Sequence, residues 1–188
     1  TTNTVTINPV PAWTSGDVFE TPDLSAIVNE VVAKSDWCGG SASNALSFII
    51  TGDTALRLAQ SYESGSGEPR LHITYVPNET GCVVQELVRQ PDEATADAEE
   101  RPSDGEITRY SEDLDIGYRY SGIRFDDMYI PKDAVISSAT LEMTCRSDCS
   151  DSLGDITITG FKEDDTALFS SADDDITDRA TTSGVAVP

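Results

Sequence analysis

The chain has 188 residues, with 34 Asp and Glu against 12 Lys and Arg, a formal charge of −22. That balance argues against nucleic acid and anionic membranes as partners, because phosphate contacts need clustered Lys and Arg. The length suits one domain, and no run approaches the roughly 18 apolar residues of a membrane helix.

Most of the chain reads as β-structure. Thr4-Val5-Thr6-Ile7 alternates polar and apolar, and Pro9 and Pro11 end it. One amphipathic helix is predicted over about 22–36. Leu24, Ile27, Val28, Val31 and Val32 form its apolar face, with Thr21 as N-cap, Pro22 in the first helical position, Asp23 at the positive end of the dipole and Gly39-Gly40 as the stop. Further strands are predicted at 45–50, 55–62, 70–75, 82–88, 106–110, 118–125, 134–144, 155–161 and 184–187, separated by turn signals. Many short strands with turns between them suggest a sandwich. Gln90 to Asp104 is the most polar stretch, and 148–178 is a second acidic region.

The four cysteines, Cys38, Cys82, Cys145 and Cys149, contain no C-x-x-C pair, and His72 is the single histidine, so a zinc site has little support. An even cysteine count in an acidic chain predicts an extracellular or cell-surface protein with disulfides. Three pairings are open; the short spacer favours Cys145–Cys149, leaving Cys38–Cys82. Asn78-Glu79-Thr80 is an acceptor sequon, so Asn78 is a candidate glycosylation site. The chain starts without Met or a basic–apolar leader, which predicts a mature or excised segment.

Two sets of phrases resemble one family. Ala96-Asp97-Ala98-Glu99-Glu100, Ser121-Gly122-Ile123-Arg124-Phe125, Ile130-Pro131 and Ala134 to Leu141 look like the first half of a DNRLRE-type, carbohydrate-binding-module-like jelly-roll domain. Thr21 to Val32, Asn44 to Gly52, Ser61-Tyr62 and Pro69 to Tyr75 look like its second half. The resemblance implies an all-β, jelly-roll-like β-sandwich or barrel with one helix, in secreted or surface proteins. The order is permuted: the half resembling 82–188 comes first in the family, the half resembling 13–76 second. The strand joining them would be split between Thr181–Val187 and Thr1–Pro11. The organisation expected is an N-terminal donor-type strand over 1–12 and one jelly-roll-like domain over 13–188.

Three arrangements accommodate this order: closure in cis, a window of a tandem array, or insertion of the first strand into a neighbour. The reversed order favours the third, as in fibres closed by donor-strand complementation. Such contacts are head-to-tail, so copies of the chain would build a helical filament. In the donor strand Thr4, Val5, Thr6, Ile7 and Asn8, the apolar Val5 and Ile7 would face the acceptor core and the others the outside. An ordinary edge strand on its own domain is the plain alternative.

Catalysis has little to stand on. Leu71-His72-Ile73 is a strand alternation, so His72 is expected on the surface or in a groove rather than as a base. No nucleophile or phosphate-loop motif is present, and the chain is not expected to be an enzyme. Calcium is the cofactor these acids would take. The resemblance points to Asp97, Glu99, Glu100, Asp113 and Asp115 beside the first hairpin, and Asp148, Asp151 and Asp155 surround the Gly154 turn. Solvated acidic loops are the alternative for both groups. A second functional reading is a glycan-binding or adhesive module of a tandem surface protein, with Trp13, Trp37, Tyr62, Tyr75, Tyr110, Tyr118, Tyr120 and Tyr129 as possible stacking residues.

Overall fold

A computed structural model describes residues 2–37, 44–52, 56–77, 85–147, 154–163 and 165–179. Its elements are β1 (Thr4–Ile7), β2 (Val18–Glu20), α1 (Ser25–Val32), β3 (Leu46–Gly52), β4 (Arg57–Gln60), β5 (Arg70–Val76), β6 (Gln85–Arg89), β7 (Asp97–Glu100), β8 (Ile107–Thr108), β9 (Asp113–Ile116), β10 (Tyr120–Phe125), β11 (Val135–Thr144) and β12 (Ile156–Gly160). The strands form a sandwich-like all-β fold of antiparallel sheets. One sheet has the order β1-β12-β3-β10-β7-β8, the second β2-β11-β5-β6, and β4-β9 is a separate pair.

Side-chain alternation places the core. Leu71, Ile73 and Tyr75 of β5 point inward, while His72 and Thr74 point outward. β11 runs opposite β5, and its register shifts between Ile136 and Ser138. That irregularity lets both Ile136 and Ala139 face the core although three positions separate them. Phe48, Ile50, Ile123 and Phe125 face them from the six-stranded sheet, and the apolar face of α1 completes the cluster.

The helix is shorter than the predicted 22–36. It begins at Ser25, with Leu24 in the cap position. Thr21 does not cap it: the Thr21 Oγ1 accepts the Leu141 N–H, and the Thr21 N–H donates to the Leu141 carbonyl. The Asp23 carboxylate accepts from Ser25 and also from the Ala139 N–H. Residues 21–24 are therefore held to β11, and the helix starts only where that pairing ends. Leu24, Ile27, Val28, Val31 and Val32 are all buried, as the periodicity requires.

Three strands lie where none was predicted: β2, β7 and β9. The largest departure is β7. It sits inside the most polar stretch of the chain, yet all four of its residues are buried. It pairs with β10 in the register Asp97↔Ile123, Ala98↔Gly122, Glu99↔Ser121 and Glu100↔Tyr120. The outer face of this sheet carries a second apolar cluster of Ile49, Ala98, Phe161, Phe169 and Ile176. The segment after β12 lies across that face. Gly122 makes room for it, because a Cβ there would stand 2.5 Å from Cζ of Phe169. The predicted strand at 184–187 lies outside the described residues.

Candidate functional site

β1 pairs with β12 of its own chain, Thr4↔Thr159 through Ile7↔Ile156. Its faces follow the alternation: Ile7 is buried, Val5 packs half-buried against the main core, and Thr4, Thr6 and Asn8 are exposed. Both flanks of the strand are tied to the body. Before it, one carboxylate, Glu30 on α1, accepts from the Thr2 N–H at 2.5 Å, the Asn3 N–H at 3.0 Å, the Thr2 hydroxyl at 3.2 Å and the Asn3 side-chain amide at 2.9 Å. Burial works against the charged form of Glu30, but the Asn3 and Thr2 hydrogen bonds outweigh it and hold the pKa below the usual range.

After the strand, Val10 is fully buried and Arg57 closes over the chain. The Arg57 guanidinium is 0% exposed and is met by carbonyls: Nε donates to Pro11 at 2.9 Å, Nη2 to Val10 at 3.4 Å and Nη1 to Leu56 at 2.9 Å. Sequence reasoning missed both ties. In β4, Leu56-x-Leu58 suggests leucines inward, but Arg57 and Ala59 take the inward positions. The signal for Glu30 was absent, since it lies on the polar side of the helix and its partners are far away in the chain.

Of the five predicted metal ligands, Asp97, Glu99 and Glu100 lie on β7, on two faces of it, and Asp113 and Asp115 lie on β9. Asp97 and Glu99 point to the inner side with Ile123 and Ser121, whereas Glu100 points to the outer side. There the Glu100 carboxylate accepts the Ile176 and Thr177 N–H groups and the Thr177 hydroxyl. Glu100 is therefore an anchor for the covering segment and stands apart from the other four. On the inner side, Asp97 accepts the Tyr62 N–H at 2.8 Å and lies beside Glu63. Glu99 accepts the Asp115 N–H and lies beside Asp113, Asp115 and Arg119. Burial pushes both Asp97 and Glu99 up to about 7, against their backbone hydrogen bonds. Burial also raises Glu63 and Asp115. Ser121, which pairs with Glu99 across the ladder, has its buried Oγ without a hydrogen-bond partner. The donor set is of the hard oxygen kind that suits calcium. Its oxygens are nonetheless spread over β7, β9 and the turn at Glu63: among the described residues, a trio of ligand atoms within 4.8 Å of one another is found at Asp92, Glu93 and Asp126 instead.

No family model, curated protein or solved structure matches this chain. Its function is therefore argued from its own geometry.

The remaining predicted residues are dispersed. His72 lies in a groove of about 320 Å³ on the outer face of the four-stranded sheet, with Glu20, Thr74, Glu86, Ser138, Thr140 and Glu142. Its Nε2 is 3.6 Å from Oε2 of Glu142. Trp13, Trp37 and Tyr75 are buried and unavailable for stacking on a sugar, while Tyr110, Tyr118 and Tyr129 are exposed. Cys145 is buried, with Sγ 2.8 Å from the Ser147 carbonyl oxygen. Cys38, Cys82, Cys149, the Asn78 sequon, Asp148 and Asp151 lie outside the described residues. No described helix is long and apolar enough to cross a membrane.

Proposed function

We propose that the chain is a structural subunit of an extracellular helical filament or surface fibre, in which β1 lies on the β12 edge of a neighbouring copy. The observation that carries this reading is the way β1 is built into the body. It is bound through one ladder, to β12, and it gives Ile7 to the main core. The exposed pair Asn8-Pro9 then separates it from Val10, which the body holds. A separable strand whose seat matches its own sequence can be replaced by the same strand of another copy, at little cost in contacts. The uncovered β12 edge would otherwise invite unspecific pairing.

The test is particle mass by light scattering, with electron microscopy of the same sample. Uniform fibres from the full chain, lost in Ile7→Asp, are the expected result. A discrete particle near 20.2 kDa under all conditions overturns the proposal.

A further inference from the structure

We infer that Glu30 is the receiving residue for an incoming β1 and sets its register, so that the site formed by Glu30 and the β12 edge is specific for Thr2–Ile7 of a second copy. This rests on the strand-exchange reading above. A β-ladder by itself is indifferent to register. A slip of one residue would turn Val5 and Ile7 outward, but a slip of two keeps the Thr-Val-Thr-Ile phase intact. Against such a slip the core offers one check, at the seat where Pro9 would stand in for the buried Ile7, and a contact outside the ladder would reinforce the register.

Glu30 is placed to do so. It projects from α1, whose Ile27, Val28 and Val31 are buried in the main core, so its position is set by the body rather than by the strand. Its carboxylate takes four donors from two successive residues, the main chain and side chain of Thr2 and of Asn3. The Asn3 amide also reaches the Ala26 carbonyl at 3.4 Å. A strand slipped by two residues would present Thr4 and Val5 instead. Val5 has no side-chain donor, so the bond made by the Asn3 amide would be lost. Hydrogen bonds to a charged acceptor are among the stronger ones, so this set favours the native register over the slipped one. The same contacts would be made by an incoming strand, because every acceptor atom belongs to the receiving body.

The test uses the full chain. Amide hydrogen exchange on the monomeric fraction should show residues 4–7 and 156–159 exchanging about tenfold faster in Glu30→Gln, with the amides of α1 unchanged. Asn3→Ala should act in the same direction, and the double variant should add little to Glu30→Gln, as expected for groups in one interaction. Unchanged exchange in Glu30→Gln, or fully additive effects, overturns the inference. Particle mass is read separately. Fibres with unchanged exchange in Glu30→Gln leave strand exchange standing and remove Glu30 from it. Faster exchange in a chain that never exceeds the monomer mass removes the second copy as partner.

Discussion

Asp97 and Glu99 are acids placed where a sandwich normally puts apolar side chains. Their folded pKa values, near 7, lie above those of an unfolded chain. The folded form therefore holds more protons between about pH 4 and 7, and stability falls as pH rises through that window. Ionising either group in the folded state costs on the order of 3 kcal/mol relative to the unfolded chain. The melting temperature should be several degrees higher at about pH 5 than at about pH 8, and Asp97→Asn should flatten that difference. Glu30, Asp23 and Asp175 work in the opposite sense, since their values are lowered. Their contribution is present above about pH 4 and is lost in stronger acid, which places the optimum between the two windows. Bound calcium would be another source of counter-charge for these carboxylates. Millimolar calcium should raise the melting temperature at about pH 8 and have little effect at about pH 5, where the acids carry protons. An equal response at both values would show that calcium acts elsewhere. Gly122 gives a steric prediction at the same scale. Gly122→Ala drives a methyl into the Phe169 ring and should cost about 1–3 kcal/mol, measured by urea unfolding.

Among the elements, those with a clean period were legible. β1, β5 and β12 appear close to their predicted spans because apolar residues alternate along them, β3 because it is a short apolar run, and β11 because the alternation holds from Ala139 onward. The helix face was legible for the same reason, but its start was not. Nothing in Thr21-Pro22-Asp23 announces that its polar groups are taken by Leu141 and Ala139, which are more than 100 positions away. β7 was hidden because Asp-Ala-Glu-Glu has the composition of a loop. Only the long-range backbone donors of Tyr62, Asp115, Ile176 and Thr177 make its burial possible. The candidate site divided in the same way: the inward phase of Val5 and Ile7 could be read, and the two ties that flank them could not. Arg57 supplies the element-scale test. Arg57→Met keeps the apolar stem but leaves the Val10 and Pro11 carbonyls without their donor. The expected cost is about 2–4 kcal/mol by urea unfolding, with faster amide exchange in β1. A neutral substitution would mean that these carbonyls find other partners.

Over the whole molecule, charge is the dominant constraint. A net charge of −22 opposes both compaction and the approach of identical copies. Raising sodium chloride from low ionic strength to near-physiological levels should increase the melting temperature and, where copies assemble, the particle mass, because the screening length shortens to about 8 Å. No salt dependence of either would mean that the acids are already locally compensated. The six-stranded sheet is covered on both faces. The main core lies on one side, and Phe161, Phe169 and Ile176 lie on the other. Arg179 secures that cover, donating to the Ala167 and Leu168 carbonyls and pairing with Asp175 at 2.7 Å.

The antiparallel ladder between β1 and β12 also has a mechanical meaning. A pull applied at the Pro9 end along the axis of β1 would run parallel to β12 and across the direction of the ladder bonds. Tension then loads those bonds together, in shear, instead of peeling them one after another. Glu30 grips the end farthest from the pull, so the strand must slide past every partner before it comes free. A junction of only four paired residues can in this way resist stretching far better than it resists bending.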